Sequence, residues 1–151
     1  MIRMASGFRR AVILFAGAFF CGATTFGANG TWTGAQDALW TNSANWSASP
    51  FAGQAINETA VFCNAGNGNT LLDVAGLNGL FSIIFDTPDV ASYTIGAGAP
   101  NSQTLVLANG GTFQLAANAA ASQSFNAAVQ LGHATNNASF AFRNDNPGQP
   151  P

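Results

Sequence analysis

Basic residues are almost missing from this chain, which has no lysine and only four arginines among its 151 residues. Arg3, Arg9 and Arg10 lie in the first ten residues, so Arg143 is the only basic residue after position 27, apart from one histidine. All six acids follow position 27, and one arginine against six acids gives this part a net charge of about −5. Nucleic-acid binding depends on a basic surface. The sequence therefore predicts no nucleic-acid partner.

Histidine and cysteine are also scarce, which excludes most metal and thiol chemistry. The one histidine, His133, follows Gly132 and is predicted to lie in a surface turn. A zinc site needs three or four ligands, and no His or Cys cluster supplies them. Cys21 lies near the N-terminus, and Cys63 follows an apolar run and is predicted to be a small buried residue. If Cys21 is removed with a leader, no internal disulfide can form, and no metal or cofactor is predicted.

Catalytic constellations are absent from the sequence as well. No G-x-S-x-G segment indicates a serine nucleophile. A glycosidase needs two carboxylates across a cleft, but Asp86 and Asp89 flank Pro88, where a turn is expected to place both in solvent. A lyase needs a base, and Arg143 is the only arginine available. The chain is therefore predicted not to be an enzyme.

The N-terminal residues have the pattern of a secretory signal peptide. Arginines at the start are followed by the apolar residues 11–20 and then by small residues from Gly22 onward. A membrane-spanning helix needs about 20 apolar residues, and this run is shorter. Residues 1–27 are predicted to be a leader cleaved after Ala23 or Gly27, with lipidation at Cys21 and an uncleaved anchor as alternatives. The protein is then exported to the extracellular space or a bacterial cell surface.

The rest of the chain consists of short apolar runs between turns rich in Asn and Gly. Several runs alternate with a period of two, so that Phe81, Ile83 and Phe85 are expected to share one face, as are Phe113 and Leu115. The predicted strands are residues 60–62, 71–74, 81–85, 93–95, 104–107, 113–115, 125–131 and 140–142. This pattern predicts an all-β fold.

The short strands and small, uncharged outward positions favour a solenoid, because stacked coils bring like residues together in ladders. We expect a short right-handed parallel β-solenoid (β-helix) over residues 28–143, with a Trp-rich cap at 28–58 and a disordered tail at 144–151. A β-sandwich is the alternative. Residues 116–129 are ambiguous, because their alanines also favour helix, and are taken as strands and turn.

The three tryptophans are the best candidates for a functional site. Trp32, Trp40 and Trp46 lie within residues 32–46. An exposed set could stack on sugar rings and form a glycan-binding platform. The other interpretation is structural: the indoles close the first coil of a solenoid, whose core is otherwise exposed.

Several segments of the chain also match a known family pattern. They are Thr31, Trp32, Thr33 and Gly34, then Trp40, then Asn45 and Trp46, and then residues 59–62, 83–85, 93–98 and 105–112. This series resembles the opening of bacterial proteins with autotransporter-associated β-strand repeats, over roughly residues 29–142. The resemblance implies a leader, a Trp-rich opening and β-solenoid coils, with no shared catalytic residues.

The resemblance implies a non-catalytic structural or adhesin-like protein, equivalent to the N-terminal part of an autotransporter passenger at the outer membrane. Cell-surface glycans or neighbouring surface proteins are the expected partners. Members of the family usually end in a translocator barrel or a sorting anchor, whereas residues 144–151 here resemble neither. We therefore expect a fragment, a truncated product or a secreted remnant, which contacts a membrane only through its cleaved leader or a missing C-terminal anchor.

Overall fold

The computed structural model describes residues 29–132 and 138–148, and these residues are built from β-strands and two short 3-10 helices. The strands are β1 (Gly30–Thr31), β2 (Thr59–Phe62), β3 (Leu71–Leu72), β4 (Leu80–Phe85), β5 (Thr94–Ile95), β6 (Thr104–Leu115), β7 (Ser124–Phe125), β8 (Ala128–Leu131) and β9 (Ala141–Asn144). The 3-10 helices are Ser43–Asn45 and Gly66–Gly68. No α-helix occurs in the described ranges. The predicted leader and His133 lie outside them.

The strands form two sheets, and the chain moves back and forth between them. The larger sheet has the order β1-β2-β4-β6-β8, with β9 also pairing with β6, and the smaller sheet has the order β3-β5-β7. From β2 to β8, successive strands therefore belong alternately to the larger and the smaller sheet. Every pairing between two of these strands is parallel, and one isolated antiparallel bridge joins Trp32 and Trp46. The prediction of an all-β fold is confirmed, and the antiparallel sheets of a sandwich are not supported.

The parallel register stacks apolar side chains in columns that form the core. Ala60 pairs with Ile83, and Ile83 pairs with Phe113, so partners lie 23 and 30 residues apart in the sequence. Phe62 pairs with Phe85 in the next column, and their rings stack with centroids 5.1 Å apart. The strands therefore bury their side chains against the layers before and after them in the sequence.

A bulge in β6 corrects one expectation from the alternating pattern. Leu80 pairs with Leu107, but Ser82 pairs with Thr112, so β6 carries extra residues opposite Phe81. A side chain at Gly111 has no room there, because its Cβ would lie 2.5 Å from the Phe81 carbonyl oxygen. Beside this bulge Phe81 is 38% exposed, whereas Leu80 is buried. The sequence pattern predicted one shared face for Phe81, Ile83 and Phe85, but only Ile83 and Phe85 are buried.

Three local expectations can be compared with the structure. Residues 116–129 contain a turn, β7 and the start of β8, which agrees with the prediction of strands and a turn there instead of a helix. Strand β9 extends to Asn144, and the Asp145 N–H donates to the Leu115 carbonyl, so the predicted boundary at 143 falls inside a strand. Cys63 was predicted to be buried, but it is only half-buried.

Candidate functional site

The three tryptophans come together at the N-terminal end of the larger sheet. Trp32 follows β1, and Trp46 follows the 3-10 helix Ser43–Asn45. The ring centroid of Trp46 lies 5.2 Å from that of Trp32 and 5.0 Å from that of Trp40. Phe62 of β2 lies beneath them, 5.5 Å from Trp40. Trp32 and Trp40 are 0% exposed and Trp46 is 6% exposed, so the cluster is part of the core.

The indole N–H groups are also engaged inside the protein. Trp46 donates to the Trp40 carbonyl at 2.7 Å, and Trp40 donates to the Ala52 carbonyl. Trp32 donates to the Asn69 carbonyl at 3.3 Å. A sugar platform requires exposed ring faces, whereas these rings contact one another and Phe62. Their burial favours the cap, and glycan binding by the three tryptophans stays a prediction.

Asn45 organises the loop that carries the cluster. Its side chain is fully buried and makes four hydrogen bonds. The Oδ1 atom accepts from the backbone N–H groups of Gln36 (2.8 Å) and Asp37 (3.1 Å). The Nδ2 atom donates to the Asp37 carboxylate (2.6 Å) and the Leu39 carbonyl (3.0 Å). Both polar ends of the amide are satisfied, as a buried polar group requires.

Asp37 is held as a carboxylate by the same network. Hydrogen bonds from Asn45 first, then from Asn42 and from the Leu39 backbone N–H, lower the pKa of the Asp37 carboxyl below its ordinary value of 3.8. These donors favour the ionised form. Asp37 therefore acts as an acceptor that fixes the loop.

The segment that carries Trp32 is tied to residues 64–69 by three asparagines. Asn64, Asn67 and Asn69 donate from their side chains to the carbonyls of Trp32, Thr33 and Gly34, at 2.8, 3.0 and 2.8 Å. Their segment is rich in Asn and Gly, which indicated a turn but not these long-range bonds. Residues more than 30 positions apart in the sequence are joined in this way.

Gly34 also lies in close contact with the backbone of the segment that carries these asparagines. Gly34 has φ +60, and a Cβ there would clash with the Gly66 carbonyl oxygen. Tyr93 closes the contact from the far side, because its hydroxyl donates to the Asn64 carbonyl at 2.8 Å. Burial raises the pKa of Tyr93, so the phenol stays protonated and remains a donor.

Glu58 is a buried acid that sequence reasoning did not single out. Its Oε2 atom accepts from the backbone N–H groups of Gly53 (2.8 Å), Gln54 (3.0 Å) and Ala55 (3.2 Å). Three donors converge on one oxygen, an arrangement that suits an anion. The loop held by Glu58 follows directly on Ala52, whose carbonyl accepts from Trp40. Glu58 therefore fixes the loop next to Ala52, the residue that accepts the hydrogen bond from Trp40.

The remaining acids are dispersed. Asp73 accepts from the Ala75 N–H, Asp86 accepts from the Thr87 N–H, and Asp89 is exposed in the same turn as Asp86. Asp145 lies 3.2 Å from Arg143. In residues 29–132 and 138–148, no group of three His, Cys, Asp or Glu residues could hold a metal ion. None of the helices in these ranges has the length and apolar character needed to cross a membrane.

Comparison with known proteins provides no relative for this arrangement. No protein-family model, curated protein or solved structure matches the chain.

Proposed function

We propose that this protein is an exported, non-catalytic structural or adhesin-like component of the cell surface or the extracellular space. In this proposal residues 28–143 form a right-handed parallel β-solenoid, similar to the N-terminal part of an autotransporter passenger. The observation that carries the proposal is the stack of parallel strands closed at its N-terminal end by the tryptophan cluster.

The alternation of strands between two sheets supports the solenoid. The chain leaves β2 for β3 in the other sheet, returns as β4 beside β2, and repeats this path through β8. Each return advances by one strand, which is the path of a coil around a common core. Crossover connections between parallel strands are almost always right-handed.

The closed N-terminal end supports a structural role for the tryptophans. A stack of coils exposes its core at each end, and terminal segments that cover it are needed for solubility. Trp32, Trp40 and Trp46 cover Phe62, the first aromatic residue of the stacked column. Covering the core is therefore a sufficient physical reason for the tryptophan cluster, and no ligand is needed to explain it.

The arrangement of side chains on the stacked strands is better suited to contact with other macromolecules than to catalysis. The acids are dispersed and hold turns and loops, as Glu58 and Asp37 do. The leader pattern of residues 1–27 supports export, and an exported repeat surface would meet neighbouring surface proteins or glycans. The carbohydrate-binding module that would use Trp32, Trp40 and Trp46 is the rival hypothesis.

Replacement of Trp40 by alanine separates the two hypotheses. If the indole is a cap, Trp40→Ala removes a fully buried ring and lowers the free energy of unfolding by about 3–5 kcal/mol. The wild-type protein is then expected to show no glycan binding on an array that depends on the tryptophans, and its tryptophan fluorescence should be poorly quenched by acrylamide.

Phe81→Ala is the matched control, because Phe81 is a partly exposed aromatic residue outside the cluster. It should cost much less stability than Trp40→Ala. Tight glycan binding that Trp40→Ala abolishes with little loss of stability would overturn the structural role and support the carbohydrate-binding module.

A further inference from the structure

The end of the stack opposite the tryptophans is open, because each column of apolar side chains ends in an exposed member. Leu131 pairs with Leu107 and Phe142 pairs with Phe113, so each pair points to the same side of its sheet. Leu107 is 0% exposed, whereas Leu131 is 48% exposed. Phe113 is 7% exposed, whereas Phe142 is 60% exposed.

The same change from a buried residue to an exposed partner occurs in two other columns. Ile95 is buried, but its partner Phe125 in β7 is exposed, and Leu105 is buried, but its partner Val129 in β8 is exposed. These four exposed residues, Phe125, Val129, Leu131 and Phe142, define what we call the open face. An exposed apolar patch of this kind marks an interaction site.

The open face encloses a groove. Its volume is about 810 Å³, and its apolar lining is Phe85, Phe113, Leu115, Phe125, Val129 and Phe142. The rings of Phe113 and Phe125 stack with centroids 4.9 Å apart, and Phe142 meets Phe113 edge-on at 5.3 Å. The groove therefore has aromatic walls that a further layer of side chains could fill.

Backbone pairing is incomplete on the same face. Within the described ranges, β7, β8 and β9 each have a strand neighbour on one side only. An exposed edge with apolar side chains is a template for pairing with another strand. Among the described residues, β1 at the N-terminal end offers no comparable edge, because Ser47 bonds to both the N–H and the carbonyl of Thr31 and the tryptophans cover the core.

The charge on the open face permits contact between two copies. Arg143 lines the groove and forms an ion pair with Asp145. None of the six acids is itself among the residues that line the groove. Two copies meeting face to face would each bring one positive and one negative group, so their net charges do not repel at the contact. A two-fold arrangement could also bring Arg143 of each copy near Asp145 of the other.

We propose that the open face is the dimerisation surface of this chain, on which a second copy docks with its own open face. A head-to-tail stack would need an open edge at the tryptophan end, and the residues described there, from Asn29 onward, leave none. The contact is therefore isologous, with a two-fold axis that sets edge strands of the two copies antiparallel, and it stops at the dimer. This inference goes beyond the proposed function and does not depend on it.

Sedimentation of the purified full chain over a wide concentration range tests the proposal. We expect a monomer–dimer equilibrium with no larger species. Leu131→Lys brings a charge into an apolar contact and, across a two-fold axis, a second lysine near the first. We expect it to weaken dimerisation by about tenfold or more.

Leu71→Lys is the matched control, because Leu71 is about as exposed as Leu131 but lies in β3, outside the open face. It should leave the dimer unchanged, and thermal unfolding should show that both variants are folded. A chain that stays monomeric at every concentration overturns the proposal, including the case in which residues outside the described ranges cover the face. Equal weakening by both variants, or a mass that keeps rising with concentration, also contradicts it.

Discussion

At the scale of single residues, the polar side chains of the cap region matter because they are buried or bound in networks. Asn45 and Glu58 lie among apolar residues, yet each satisfies several backbone groups. Leaving such backbone groups without partners costs more than an average hydrogen bond contributes. The fold of the cap therefore depends on a few polar residues in addition to its aromatic rings.

Asn45→Ala should lower the free energy of unfolding by about 3 kcal/mol, because it leaves buried partners unsatisfied. Asn42→Ala is the control: Asn42 lies nearby and accepts from the Ala44 N–H, but it is partly exposed, and its loss should cost about 1 kcal/mol. Chemical denaturation of both variants provides the comparison. Equal losses would mean that Asn45 does not organise the loop.

The network around Asp37 predicts an acid-sensitive contribution to stability. Its pKa is lower in the folded protein than its ordinary value of 3.8, so folding favours the ionised form. The contribution is therefore present above that value and is lost as pH falls through the folded pKa.

Asp37→Asn should reduce the loss of thermal stability in the acid range, because position 37 no longer titrates. Melting temperatures measured over a series of pH values below neutral test this. Asp89→Asn, at an exposed turn position, is the control and should retain the acid sensitivity of the wild type. An unchanged acid profile in Asp37→Asn would contradict the role of the carboxylate.

At the scale of the elements, short strands gain stability from the layers on either side. Strands of two residues, such as β3 and β5, form few hydrogen bonds and bury only one or two side chains. Leu72 and Ile95 are nevertheless fully buried, because their columns continue through the stack. Packing between neighbouring layers therefore determines where these strands lie.

The bulge opposite Phe81 predicts different effects for two phenylalanines of β4. Phe85→Ala removes a buried ring that stacks on Phe62 and should cost about 3–5 kcal/mol. Phe81→Ala removes a partly exposed ring and should cost roughly 1 kcal/mol. Urea denaturation of the two variants measures both values. A similar cost at both positions would restore the simple alternation expected from the sequence.

At the scale of the whole molecule, the leader pattern predicts export, and the balance of charge agrees with the proposed surface role. A chain with one arginine after residue 27 and many polar, uncharged side chains suits a surface built of stacked like residues, since stacked like charges would repel. The arginines at the start precede the apolar residues 11–20, in the order expected of a secretory leader.

We predict that the exported protein begins at Thr24 or Ala28. N-terminal sequencing of the secreted or periplasmic form measures this directly, and a mature protein that retains Met1 would refute it. Leu14→Arg, which places a charge in the apolar segment of the leader, should block export, whereas Leu14→Val should not.

Local patterns in the sequence determined most strand positions. Alternating apolar residues flanked by Asn and Gly placed β2, β4 and β9 within two residues of their observed bounds, because strand formation and turn formation depend on neighbours in the chain. The prediction was wrong for the predicted strands 104–107 and 113–115, which form the single strand β6, and for 125–131, which is divided between β7 and β8 of different sheets. Composition also predicts no metal site and no nucleic-acid partner, because His and Cys are scarce and Arg143 is the only arginine after residue 27.

Only the tertiary structure decided which distant residues meet. The parallel register, the bulge that exposes Phe81, and the bonds from Asn64 and Asn69 to the cap join segments separated by 20 residues or more. Packing on Phe62 buries Trp32, Trp40 and Trp46, which favours the structural interpretation of the tryptophans, and glycan binding by them stays a prediction. Such contacts depend on the path of the whole chain through both sheets, and no local pattern of residues encodes that path.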